Sequence, residues 1–213
     1  MSAVGKAFIK AIGKPSPRLP FQVPFHHPGD RFSWKAFTKE IGAGWYLDRF
    51  LLLFCEQLAA LQACVDRWAF LGAPSTNRVI LGRNAHGAIL TLENDESPAL
   101  DSHVCVLDPL HVTWWSDPNA GLSNLLGYWF GERALPAAFL DDSVYARWRK
   151  ETGEALADDE ILAIKVPLSL GGTLDLSNFQ VENIDEYFAT TGPIYARASG
   201  KTRKRPGAPR RKR

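Results

Sequence analysis

Cysteine, methionine and long apolar runs are all scarce in this chain, and each shortage removes a class of protein. The three cysteines, Cys55, Cys64 and Cys105, are an odd count and contain no C-x-x-C pair. They read as reduced thiols lining a core, and neither a disulfide framework nor a cysteine metal site is expected. The longest apolar stretch, Phe50 to Phe54, falls far short of the roughly 20 residues that a membrane-spanning helix needs. The basic N-terminus is interrupted by Gly and Pro and lacks the apolar core of a secretory signal, so a cytoplasmic location is expected. A single Met stands against seven Trp, and 46% of residues are hydrophobic. That composition supports a rigid, aromatic-rich core and excludes global disorder.

The formal net charge of +2 conceals an asymmetry. Residues 201–213 carry eight basic residues and no acid, whereas residues 33–200 hold 12 basic against 22 acidic side chains. An acidic body with basic ends does not fit a dedicated nucleic-acid-binding fold. It fits the electrostatic steering of a basic partner. The tail residues Lys201, Arg203, Lys204, Arg205, Arg210, Arg211, Lys212 and Arg213 are candidate phosphate contacts. No aromatic residue is interleaved with them for base stacking, so any nucleic-acid binding through the tail would be non-specific.

Residues 1–32 contain five prolines and read as an extended arm laid over the body or left mobile. The spacing of Phe50, Leu51, Phe54, Leu58, Leu61, Val65 and Trp68 predicts a helix over about 47–70, ended by Gly72 and Pro74. Short β-rich runs at 78–82, 86–92, 103–107 and 111–115, separated by turn residues, predict an antiparallel meander of about four strands. Helical segments are expected at 119–130, 136–141 and from Ser143, which is a candidate N-cap. An apolar run at 161–170 ends at Gly171-Gly172, read as a structural turn with Leu168 and Leu170 buried. A last helix begins at Asn183, with Glu186 at the capping-box position, and is expected to be interrupted or kinked at Gly192-Pro193. The fold class is therefore α+β: an antiparallel sheet with packed helices, followed by a disordered basic tail at 199–213.

Residues that could carry chemistry are few. The pattern contains no G-x-S-x-G, H-E-x-x-H, P-loop or G-x-G-x-x-G. His26-His27 has no second His or Cys pair at zinc-ligand spacing. The paired carboxylates Asp141-Asp142 and Asp158-Asp159-Glu160 are the arrangement a glycosidase uses, but beside helix starts they also suit the helix dipole and solvent. No enzyme, cofactor or metal is expected. With Glu132, these acids form a candidate partner-binding surface. Trp114-Trp115 supplies an aromatic anchor, one ring buried and the other exposed because neighbouring strand residues face opposite ways.

A resemblance sharpens this reading. Leu81-Gly-Arg-Asn-Ala-His-Gly-Ala88, Val106-Leu-Asp-Pro109, Trp115-Ser-Asp-Pro118, Phe139-Leu-Asp-Asp-Ser-Val-Tyr145 with Trp148, Leu156-Ala-Asp-Asp-Glu-Ile161, Val166-Pro-Leu-Ser-Leu-Gly-Gly172, Asn178-Phe179 and Tyr187 occur in an order that resembles the C-terminal domain of bacterial immunity proteins against type VI secretion DNase effectors. The resemblance implies a GAD-like domain over 33–113, an immunity domain over 114–198, and a fold that is Smi1/Knr4-like or related. It also implies a non-catalytic protein that binds a cognate nuclease toxin and occludes its active site. The alternative is a nucleic-acid-associated protein acting through the basic tail.

Overall fold

Phe50-Leu-Leu-Leu-Phe-Cys55 is buried at every position, and a helix with one core-facing stripe cannot bury six consecutive side chains. A strand covered on both faces can. The computed structural model, which describes residues 2–21, 39–72, 77–94, 103–117, 125–132 and 137–199, accordingly places strand β2 at Leu51–Leu53, paired with β1 at Gly44–Tyr46. The helix expected over 47–70 is thus corrected. Only α2, Gln62–Arg67, is α-helical within it, preceded by a 3-10 turn over Glu56–Leu61. The burial expected of Phe50, Leu51, Phe54, Leu58, Leu61, Val65 and Trp68 holds throughout.

The meander then continues through β3 (Asn77–Asn84), β4 (Ile89–Asn94), β5 (His103–Asp108) and β6 (Thr113–Asp117). All six strands pair in sequence order and antiparallel, two more than expected. The boundary anticipated between residues 113 and 114 falls inside β6. In β3 the register shifts between Ile80 and Gly82. A Cβ on Gly82 would stand 2.3 Å from Leu53 Cδ2 and 3.0 Å from the Leu52 carbonyl, so only glycine lets the strands approach at this bulge.

The N-terminal arm is not wholly extended. Helix α1, Ala3–Ile12, is capped by the Ser2 hydroxyl, which accepts from Gly5 N at 3.0 Å. It buries Phe8 among Tyr46, Phe54 and Phe130. Pro15 and Pro17 end helical continuation, and the chain then runs along β1. There Ser16 N donates to Trp45 O and Leu19 N to Ala43 O, covering an edge of the sheet.

A second, two-stranded sheet pairs β7 (Glu160–Ile164) with β8 (Phe179–Asn183). Helices α3 (Ala137–Leu140) and α4 (Ser143–Thr152) precede it, and α5 (Ile184–Ala198) follows it. Within the expected helix at 119–130, Leu125–Phe130 forms a π-helical turn that packs against α1; 119–124 lies outside the described residues. Asn183 caps α5 as expected, accepting from Asp185 N and Glu186 N. Of the interruption or kink expected at Gly192-Pro193, the interruption does not occur, and the helix runs through to Ala198 with Pro193 inside it. Gly192 is small for a reason: a Cβ there would meet Arg67 O at 3.1 Å and Trp68 Cδ1 at 3.2 Å. Trp68 fills the joint between α2 and α5 against Tyr187, Phe188 and Tyr195.

The buried apolar side chains form one cluster that runs from Phe8 to Tyr195 and includes both sheets. Cys55, Cys64 and Cys105 are free and buried; burial pushes their thiols up to about 11, 12 and 11 respectively. No helix among the described residues is long and apolar enough to cross a membrane.

Candidate functional site

In an antiparallel meander alternate turns share an end, so the β1–β2, β3–β4 and β5–β6 turns all emerge together. The functional candidates collect at this end, and Asn84 is its polar centre. Fully buried, Asn84 accepts with Oδ1 from His86 N at 3.0 Å and Ala88 N at 2.9 Å, and donates to Phe139 O at 3.2 Å. Gly87, at φ +80°, completes the turn, and a Cβ there would press on Ile161 Cδ1 at 3.0 Å. Ala85 O accepts from Leu162 N at 2.8 Å. The His86 ring lies with Nδ1 3.3 Å from Leu162 O. Burial depresses the His86 pKa, so the ring is neutral and donates through Nδ1 to the carbonyl. The same turn thus holds the chain just before Asp141 and just after Glu160, bringing two acidic segments to one place.

Next to it lies Arg83, buried and pushed down to about 10 by that burial. Its guanidinium donates to Asp158 O at 2.8 Å and sits 4.9 Å over the Trp45 ring. Arg49 lies 4.8 Å over the same ring and donates to Asp158 Oδ1 at 2.7 Å, an oxygen that also accepts from Trp45 Nε1 at 2.9 Å. Two cations, one indole and one carboxylate therefore lock β1 and β3 to the 153–159 loop.

The β1–β2 turn carries unusual backbone. Leu47, Asp48 and Arg49 have φ of 47°, 55° and 68° in succession, and each non-glycine residue there costs on the order of 1–2 kcal/mol. Helix α4 holds the conformation: Arg149 donates to Asp48 O at 2.7 Å and pairs with the Asp48 carboxylate, and Tyr145 OH reaches Asp48 O at 3.4 Å. Turn and helix enclose a cleft of about 340 Å³, lined by Leu47, Asp48, Asp142, Tyr145, Arg149 and Lys150 among others.

The acidic candidates divide by what they touch. Asp158 is committed to Arg49 and Trp45. Asp141 accepts from Ser143 N at 2.9 Å, and the hydrogen bonds from Ser143 hold its carboxyl below the usual range. This corrects the expected cap: Ser143 is the first helical residue, and Asp141 supplies the oxygen. Asp159 accepts from the Asn183 amide at 2.9 Å and Glu160 from Ala157 N at 2.7 Å. Asp141, Asp142, Asp159 and Glu160 make no ion pair among the described residues. Glu132 is exposed but stands apart, after the π-helical turn that packs on α1. Asp108 belongs to the same end, accepting from Leu110 N at 2.9 Å and lying 2.6 Å from His111 Nδ1.

Trp114 and Trp115 follow Thr113 in the outermost strand, β6. The expectation of one buried and one exposed ring is corrected: both are half-buried and packed against the core, and Arg78 lies 5.3 Å over Trp114. Gly171 turns the chain at φ +89° as expected. The accompanying burial is not as expected, because Leu168 is half-buried and Leu170 is 57% exposed. These residues form a 3-10 turn, not a strand. Asn178 holds that loop, accepting from Val166 N at 3.0 Å and donating to Val166 O and Thr173 O at 2.9 Å each. Gly172 packs so tightly that a Cβ would lie 1.8 Å from Val166 O. His26, His27 and the tail residues 201–213 lie outside the described residues. Among the described residues, no group of three or more His, Cys, Asp or Glu is placed to hold a metal ion.

Asp48, Tyr145 and Arg149 were not singled out as site residues from sequence. Leu-Asp-Arg contains no glycine or asparagine to announce three left-handed residues, so no local signal marks the turn.

No family model matches this chain, and no curated protein matches it. Among solved structures it is similar to the crystal structure of Atu4351 from Agrobacterium tumefaciens. The TM-score is 0.56 at 16% identity, over 88% of this chain and 87% of that one. At that identity the likeness is one of fold.

Proposed function

We propose that this protein is a non-catalytic immunity protein that binds a cognate secreted toxin, a nuclease of the type VI secretion class, and occludes its active site. The observation that carries the reading is the set of uncompensated carboxylates, Asp141, Asp142, Asp159 and Glu160, at one end of the body. They are carried on segments fastened to the buried β3–β4 turn. Nuclease clefts are basic, and an acidic surface held in place by buried hydrogen bonds suits rapid, steered association with them. The half-buried Trp114 and Trp115 sit on a strand leaving the same end and offer apolar area beside the charge. The resemblance of 81–187 to the immunity family agrees with this reading.

The test is co-expression with a candidate nuclease toxin of the type VI secretion class, scored by cell survival and by association rate. Asp141→Lys with Asp142→Lys and Asp159→Lys should slow association at least tenfold at low salt and flatten its salt dependence. Deletion of 199–213 should leave protection intact. If the reversed protein protects and associates like wild type, the electrostatic mechanism is wrong. If only the tail deletion abolishes protection, the tail-borne nucleic-acid reading replaces it.

A further inference from the structure

Strand β8 pairs with β7 on one side only. Among the described residues, none pairs with Gln180, Val181 or Glu182 on the other. A groove of about 580 Å³ lies between β8 and the first half of α5, where Glu186, Tyr187 and Thr190 line it, and it reaches Ile164 and Lys165 at the end of β7; the Lys165 ammonium donates to Ser177 O at 2.8 Å. Val181 is 39% exposed. Glu182 and Glu186 have no cationic partner among the described residues; Glu182 takes only the Gln180 amide. Behind the same wall the buried Tyr187 hydroxyl lies beside the Tyr195 hydroxyl. An open strand edge, an apolar side chain and two unpaired carboxylates are the parts needed to take up an extended basic peptide.

We infer that β8 and the adjoining face of α5 form a second docking site, which accepts an extended, basic segment of a partner protein as an added strand. Charge decides among occupants. Self-pairing of two copies across β8 would set Glu182 and Glu186 of each against those of the other, so a second copy is disfavoured. A segment with Lys or Arg alternating with small apolar residues neutralises both carboxylates and lays its apolar side chains over Val181. The site is separate from Asp141 and Asp142, so it stands or falls independently of the toxin reading.

The experiment titrates the ¹⁵N-labelled full chain with an acetylated octapeptide of alternating Lys and Val, and with its Glu/Val counterpart. The Lys/Val peptide should shift amide resonances confined to β8 and residues 184–191, and should slow hydrogen exchange at Gln180–Glu182. Glu182→Lys with Glu186→Lys should weaken this binding at least tenfold at unchanged melting temperature, while Asp141→Lys with Asp142→Lys should leave it alone. The inference is overturned if the Lys/Val peptide leaves β8 unperturbed or if the Glu/Val peptide binds as tightly. It is also overturned if deleting 200–213 strengthens peptide binding tenfold, since the occupant would then be the chain's own basic tail.

Discussion

Replacing Asn84 with alanine should be among the most damaging single changes in the molecule. The side chain is completely buried and closes at least three hydrogen bonds, among them two accepted from backbone N–H groups and one donated to the Phe139 carbonyl. Alanine leaves all three groups without partner or water. At about 1–3 kcal/mol for each orphaned buried group, with partial relaxation of the turn, the loss should come to roughly 3–5 kcal/mol. For a chain of this size that corresponds to a fall in melting temperature of roughly 6–20 °C. Asn178 is the control, because it also closes three hydrogen bonds, but at a half-exposed site where water can replace them. Asn178→Ala should therefore cost about 1 kcal/mol. Urea unfolding followed by tryptophan fluorescence measures both changes at constant m-value. Equal losses at the two positions, or a loss below about 1 kcal/mol at Asn84, would refute the argument that burial makes these bonds expensive to lose.

Other consequences can be measured on the same material. Gly171→Ala meets no atom within 4 Å but must adopt φ +89°, so urea unfolding should show a loss of about 1–2 kcal/mol from backbone strain alone. Gly172→Ala, which drives a methyl into the Val166 carbonyl, should cost more, and the reverse order would contradict the geometry. The His86 pKa is lowered in the folded protein from an ordinary 6.5, so on acidification the unfolded chain takes up a proton that the folded one refuses. Stability should then fall as pH drops below about 6.5, by about 1.4 kcal/mol per unit more than in His86→Gln. Parallel pH dependence in the two proteins would show that His86 is not held neutral. Arg149→Ala should release the strained Asp48 turn, seen as faster hydrogen exchange at Leu47–Phe50 with the sheet interior unchanged.

Much of the fold was legible, and its errors have physical causes. Strands β3 to β6 announced themselves through β-branched residues and turn chemistry, and α5 through the Asn183 cap. The 47–70 region differs from the expected helix in type but not in the burial of its apolar stripe. Phe50, Phe54, Leu58, Leu61 and Val65 satisfy a helical period by coincidence, while the buried Leu52 and Leu53 between them mark a strand. Helix α1 was hidden by the prolines that follow it and by Gly5. The acidic surface was legible as composition. What each acid does was not, because pairing depends on distant residues: Asp158 meets Arg49 across 109 positions. Nothing local distinguishes Arg83, buried beside Trp45, from an arginine facing water.

The strict neighbour-to-neighbour order of the six strands also bears on how the molecule assembles in time. Apart from the β2–β3 connection, which carries α2, each strand closes only a short loop to find its partner, so most of the sheet can zip hairpin by hairpin at low entropic cost. The fastening of His86 to Leu162 and of Asn84 to Phe139 spans 76 and 55 positions respectively, and must wait for most of the chain. The acidic end is therefore expected to complete last, after a scaffold already stands. Pulse-labelled hydrogen exchange during refolding should protect the amides of β4 and β5 before that of Leu162. A nascent chain would hold its sheet before the segments carrying Asp141 and Glu160 are in place, and the step that finishes folding would be the one that assembles this end.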